Sequence, residues 1–171
     1  LKQQATDRMR RVINDGMDVA GGSGICKGPS NYLAPAYQLV PIGITVEGAN
    51  ILTRTLIVFG QGAIRCHPFA YQQIEALESG DRKKFDRALW GHVGHVVRNG
   101  FRSTLLHATR GRLAGSPVTG YAARYFRRLS WASASFALLS DLAMAGLGGN
   151  LKRKEAITGR FADIFSWLYL G

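Results

Sequence analysis

Apolar residues recur at four-residue steps from the first position onward: Leu1, Ala5, Met9, Ile13 and Met17, with Lys2, Asp7, Arg8, Arg10, Arg11 and Asp15 between them. This is the periodicity of an amphipathic helix, and it predicts one that stops at Gly21-Gly22-Ser23-Gly24, where successive glycines make a further turn costly. Residues 21–44 read as mostly irregular, because Gly28-Pro29, Ala34-Pro35 and Val40-Pro41 punctuate them. From about Thr45 the helical spacing returns in Ile51, Leu52, Leu56 and Phe59, with a break predicted at Gly60-Gln61-Gly62. A third helix is predicted from Phe85 to about Ala108, burying Phe85, Leu89, Val93, Val96, Val97, Phe101 and Leu105 along one side. A fourth runs from about Tyr121 to Leu147 on Tyr125, Leu129, Phe136, Leu139 and Met144. Behind Gly148-Gly149-Asn150 and the basic Lys152-Arg153-Lys154, a last helix carries Phe161, Ile164, Trp167 and Leu168. No alternating β-branched run bounded by turns is present, so the fold class is all-α, a helical bundle.

Composition narrows the class further. With 46% apolar and 19% charged residues in a chain of 171, disorder and low complexity are excluded and one domain, or a piece of a larger one, is expected. The chain opens on Leu1 already inside a periodic pattern, and it reads as a fragment. Its longest uncharged stretches, 28–46 and 129–140, are broken by prolines or too short, so no membrane-crossing helix is expected. Two cysteines, Cys26 and Cys66, are too few for a disulfide framework, which favours a reducing compartment. Residues 1–60 hold six Lys/Arg against four Asp/Glu, whereas residues 61–171 hold sixteen against seven. The later part therefore suits an anionic partner, whether a phosphorylated ligand, an acidic lipid surface or nucleic acid. Nucleic acid is disfavoured, since Lys152-Arg153-Lys154 is the one tight basic triplet and no recognition motif accompanies it.

Among the candidate chemical groups, Glu47 stands out. It is one of four Glu in the chain and lies between the apolar run 40–46 and Gly48. A carboxylate among apolar neighbours is desolvated and becomes a usable base for a weakly acidic carbon–hydrogen bond, whereas a helix beginning near Gly48 would favour its ionised form. The structural alternative is that Glu47 caps the helix that follows. Gly48 would let a ligand approach closely, or would simply serve a turn. His92 and His95 share a helix face, yet the neighbouring sequence supplies no completing ligand, so no metal site is expected. His67, between Cys66 and Pro68, reads as a capped turn. Tyr121, Tyr125, Trp131 and Trp167 have the spacing of core stripes.

Gly21-Gly22-Ser23-Gly24 followed by Thr45-Val46-Glu47-Gly48-Ala49-Asn50-Ile51-Leu52-Thr53-Arg54 resembles the C-terminal helical domain of flavin-dependent acyl-CoA dehydrogenases. The segments 59–68, 138–141 and 147–153 are similar to the long bacterial members of fatty-acid β-oxidation, which carry an additional helical C-terminal domain. The resemblance covers essentially the whole chain and implies two parts. Residues 1–65 would be the end of the acyl-CoA dehydrogenase helical domain with the base, and residues 66–171 a truncated bacterial-type addition.

The resemblance also implies chemistry. The family's base falls on Glu47, which would take the α-proton of an acyl thioester while the β-hydrogen leaves as hydride to FAD, giving a trans-2-enoyl-CoA. The substrate-contacting glycine falls on Gly48. The flavin-contacting stretches fall on Asp18, Val19, Ala20, Gly21 and Gly22, typically against the FAD of a neighbouring subunit, and on Ala49, Asn50 and Ile51. Val46, Ala49, Ile51 and Asp18 depart from the usual aromatic residue, Thr, Gln and Gln. Fatty acyl-CoA, an electron-transfer flavoprotein, the rest of its own chain and a second subunit are the implied partners. The implied location is the bacterial cytoplasm, with the basic domain either shaping subunit contacts or resting on the inner membrane. The chain alone is expected neither to bind FAD well nor to turn over.

Overall fold

The computed structural model describes residues 1–171 and contains helices without a single strand, so the all-α class holds. The chain divides into two compact units, Leu1–Arg54 and Thr55–Gly171. This division falls before the 65/66 boundary expected from sequence.

In the first unit α1 spans Lys2–Ala20 and stops at Gly21, which takes a positive φ of 53°. The expectation of irregular chain over 21–44 fails. A short α2, Gly22–Ile25, is followed by α3, Leu33–Thr45. Two signals outweigh the prolines. The Asn31 side-chain oxygen accepts from the amides of Leu33 and Ala34, both at 3.0 Å, starting α3. Pro35 then sits in the first turn, where its missing N–H has no helical partner to lose, and Pro41 lies in the last two turns. α1 packs along α3 where Gly43 faces Thr6 and Met9, and where Gly16 faces Leu33.

After a turn at 46–49, α4 (Asn50–Leu52) passes directly into a π-helix, Thr53–Gln61, and α5, Gly62–Cys66. The break expected at Gly60-Gln61-Gly62 is absent, because Gly60 sits inside the wide turns and Gly62 begins α5 without interruption. A Cβ on Gly60 would stand 3.2 Å from the Thr55 carbonyl oxygen. The π-helix delivers Phe59 into the second unit's core, which explains why that unit begins ahead of α5.

The second unit continues through α6 (Ala70–Glu78), α7 (Arg82–Ala108), α8 (Ala123–Leu147), a 3-10 turn at Gly148–Arg153 and α9 (Glu155–Leu170). Asp81 caps α7 by accepting from the Lys84 amide at 3.0 Å. α6 and α8 both pack on α7, and α9 folds back on α8. Phe59, Leu151 and Ala162 form the core with Phe136, Met144, Leu147 and Phe161 around them. Phe59 stacks on Phe161 with ring centroids 4.3 Å apart and meets Phe136 edge-on at 6.1 Å. Gly91 admits the Phe69 ring, which a Cβ there would overlap.

Several apolar stripes point away from this core. In α7 the packed face is Ala88, Asn99, Ser103 and Leu106, while Val93, Val97, Phe101 and Leu105 of the expected buried stripe are exposed. Tyr121, Tyr125 and Trp167 are exposed too, with the Arg124 guanidinium lying over both tyrosine rings and bonding their hydroxyls. Helical periodicity fixes which residues share a face, but small residues allow closer helix approach and so took the interior. The expectation of no membrane-crossing helix also needs correction. By length and composition Ala123–Arg153 is apolar enough to cross, although its Asp141 is engaged with polar groups of α7 and of the α5–α6 turn.

Candidate functional site

The turn between α3 and α4 holds Glu47 at φ 54°, a left-handed conformation that costs a non-glycine residue about 1–2 kcal/mol. Gly48 follows at φ 85°, where glycine alone is unstrained. Lys2 holds this turn from α1. Its ammonium donates to the carbonyl oxygens of Val46 at 2.9 Å, Gly48 at 2.8 Å and, more weakly, Ile44 at 3.5 Å. Asn50 fastens the other end, its side-chain NH2 donating to Thr6 Oγ1 and Asp7 Oδ1, both at 2.8 Å. Asn50 is buried, and its own Oδ1 has no partner. The carboxylate of Glu47 is exposed. It is not desolvated by the apolar run before it, and it does not cap α4, whose first residue is preceded by Ala49 with no side-chain cap.

The glycine turn lies at the other end of α1. Asp18, Val19, Gly21 and Gly22 are exposed and Ala20 is half-buried, with open space where Cβ atoms of Gly21 and Gly22 would stand. Ala49 is half-buried and Ile51 exposed. Asn50 contacts Thr6 and Asp7, so the stretches 18–22 and 49–51 are separated along α1 by about 20 Å at 1.5 Å per residue.

In the second unit α7, α8 and the α5–α6 turn bring together a polar cluster that sequence reasoning did not assemble. His67, in the α5–α6 turn, accepts at Nδ1 from the amides of Phe69 (3.2 Å) and Ala70 (2.9 Å), capping α6 as expected of that turn. With Nδ1 occupied as an acceptor, the ring's proton is on Nε2, which donates to Asp141 Oδ1 at 3.1 Å. Asn99 of α7 turns its NH2 toward Asp141 Oδ2, at 3.5 Å, because a carboxylate only accepts. That same NH2 lies 2.8 Å from His95 Nε2, which therefore accepts and leaves the proton of His95 on Nδ1. Burial, with His92 4.5 Å away between ring centroids, pushes the His67 pKa below its ordinary value against the opposing pull of Asp141.

The donor atoms of His67, His95 and Asp141 lie within 4.8 Å of one another, a spacing compatible with a metal ion, although His92 and His95 alone did not suggest one. Ligation through His67 Nε2 would however require that nitrogen to shed its proton while Nδ1 still receives two amides. The set as arranged is a hydrogen-bond chain running from the α6 amides through His67 and Asp141 to Asn99 and His95. Its sequence signal was Asp141, the single acid in the apolar α8. Beside it opens a cavity of about 320 Å³, lined by Val58, Phe59, Phe136, Ala137, Met144 and Phe165, with Cys66, His67, His95 and Asp141 supplying polar groups.

The exposed side of α7 forms a third feature. Trp90, Val97 and Phe101, between 66% and 72% exposed, lie opposite the packed face, with Arg87, Arg98 and Arg102 beside them.

No solved structure matches the chain. Residues 64–171, the part that includes α6 to α9, match the family described as acyl-CoA dehydrogenase, C-terminal, bacterial type, and the chain belongs to that family.

Proposed function

We propose that this chain carries the catalytic base of an FAD-dependent acyl-CoA dehydrogenase that oxidises saturated fatty acyl-CoA in β-oxidation. The observation that carries the reading is the turn at Glu47-Gly48. A carboxylate held in a left-handed conformation by Lys2, exposed and followed by a residue without a Cβ, is preset to meet a ligand. Membership of the family supplies the chemistry. Glu47 accepts the α-proton of the thioester, the β-hydrogen departs as hydride, and a trans-2-enoyl-CoA remains. The amide of Glu47, aimed at the thioester carbonyl oxygen, would stabilise the enolate character that develops there.

FAD, when bound, supplies the hydride acceptor. The residues present suit such a group in two places. Asn50 offers an unpaired Oδ1 to a donor, while Asp18, Val19, Gly21 and Gly22 offer an open helix end. At a separation of about 20 Å the two stretches do not share one flavin ring. The arrangement accords with 49–51 facing the flavin of its own subunit and 18–22 that of a second one. Reoxidation by an electron-transfer flavoprotein and a cytoplasmic location complete the reading.

The test is anaerobic bleaching of flavin absorbance on adding a saturated long-chain acyl-CoA to the full-length enzyme, wild type beside Glu47→Gln at equal flavin loading. Bleaching in the wild type and none in the variant is expected, because the amide keeps the shape and removes the proton acceptor. Equal bleaching would move the base elsewhere, and an enzyme without flavin would sink the reading.

The α7 face supports a role for the second unit in addition. Exposed Trp90, Val97 and Phe101 beside Arg87, Arg98 and Arg102 fit an anionic phospholipid surface, to which the arginines bind electrostatically while the apolar groups enter the interface. Salt-sensitive binding to phosphatidylglycerol vesicles, with a blue shift of tryptophan emission that Trp90→Ala reduces, is the expected result. Tighter binding to duplex DNA than to vesicles would instead make this a nucleic-acid surface.

A further inference from the structure

The cavity beside Asp141 belongs wholly to the second unit and has no part in the chemistry assigned to Glu47. Its walls are largely aromatic and aliphatic, and His67, His95 and Asp141 cluster at one part of the lining. A volume of about 320 Å³ is roughly twice that of an engineered cavity that takes benzene, so it accommodates about a dozen non-hydrogen atoms.

The hydrogen-bond network decides what the polar end can accept. His67 has both nitrogens engaged, Nδ1 by two backbone amides and Nε2 by Asp141. His95 accepts from Asn99 at Nε2, so its Nδ1–H is a donor with no partner in the protein. Asp141 receives one bond at 3.1 Å and one long bond at 3.5 Å, leaving lone pairs to spare on both oxygens. His95 and Asp141, whose ligand atoms lie within 4.8 Å of one another, therefore give this part of the lining one N–H donor and one carboxylate acceptor. A carboxylate head would meet the Asp141 charge, and an ammonium head would meet the His95 N–H. A hydroxyl satisfies both groups at once.

We propose that this cavity binds an uncharged single-chain amphiphile, an aliphatic tail of about ten carbons ending in a hydroxyl that donates to Asp141 and accepts from His95. The tail fills the space between Phe59, Phe136, Met144 and Phe165, and Cys66 stands at the wall where its thiol reports occupancy.

The experiment titrates 1-decanol, decane, decylamine and decanoate into the 171-residue chain carrying Cys26→Ser, and follows both heat and the rate of Cys66 alkylation. 1-Decanol is expected to bind at least about tenfold more tightly than each of the others, the gain of a satisfied hydrogen-bond pair, and to slow alkylation of Cys66. Ala137→Phe, which fills the cavity at a position outside the polar network, should abolish both effects. His95→Phe, which keeps a ring but removes the donor, should erase the preference for decanol over decane while retaining tail binding. Tighter binding of decanoate or decylamine, decanol binding unchanged in Ala137→Phe, or no binding of any of the four to the folded chain would each overturn the proposal.

Discussion

Replacing Phe59 by Ala tests whether the π-helix is part of the second unit's core. Phe59 is 4% exposed, stacks on Phe161 and meets Phe136 edge-on. An aromatic side chain buries about 200 Å², which at about 25 cal/mol per Å² corresponds to roughly 5 kcal/mol. Residual burial in the denatured chain trims this to about 3–4 kcal/mol, within the 3–5 kcal/mol typical of Phe→Ala in a core. Against a total stability of about 5–15 kcal/mol this is a large fraction. All three tryptophans, Trp90, Trp131 and Trp167, lie in the second unit, so their fluorescence during urea unfolding reports that unit alone. With a slope of about 2 kcal/mol per molar urea the midpoint should fall by roughly 2 M at unchanged slope. Phe59→Leu, which keeps much of the volume, should lose less than half as much. A fall below about 0.5 M for Phe59→Ala would refute the assignment of residues 55–61 to this core.

Two further outcomes follow from the polar anchors. The lowered pKa of His67 means that the unfolded chain takes up a proton near the ordinary value of 6.5 while the folded one still resists it. Stability should therefore fall as pH drops through about 6.5, and His67→Asn, which can cap α6 without titrating, should flatten the dependence measured by urea unfolding from pH 8 to 5.5. His92 and His95 face the same ring and stay in place in the variant, so equal slopes in variant and wild type would discount His67. Lys2→Met, which keeps the aliphatic stem and removes the ammonium, should free the turn over 46–48. Hydrogen exchange at Val46 and Thr53, whose amides bond the Ile42 and Ala49 carbonyls on either side of the turn, should rise at least about tenfold, the effect of losing a charge-assisted bond, and unchanged exchange would mean that backbone geometry alone holds Glu47.

Much of this architecture was legible in the chain. α1, α7, α8 and α9 follow from helical spacing and from Gly21 and Gly148 at two of their ends, while the Asp81 cap that starts α7 ahead of Phe85 was not read. α3 was missed because two prolines were weighed above the capping signal of Asn31. The π-helix was missed because Gly60, a breaker in an α-helix, suits wider turns, and α5 starts directly at Gly62. Periodicity also placed the wrong face of α7 inside, since apolar side chains such as Phe101 lie on the face opposite Asn99 and Ser103. The Glu47-Gly48 pair was visible by resemblance, but its support by Lys2 was not, as it joins residues 46 apart. The His67–Asp141 contact spans 74 residues, and no local pattern encodes it.

That contact makes α6 a conditional element. A helix of nine residues cannot persist in water by itself, because nucleation costs more than so few bonds return. Its first free amides are held by Nδ1 of a ring whose other nitrogen is held by α8. One imidazole thus joins the start of a local coil to a distant partner, so the short helix and the long loop closure form or dissolve as one event. Loop-closure entropy grows only logarithmically with length, which keeps so remote a clasp inexpensive in chain entropy. The cooperativity of the bundle at this corner combines that imidazole with the packing of α6 on α7.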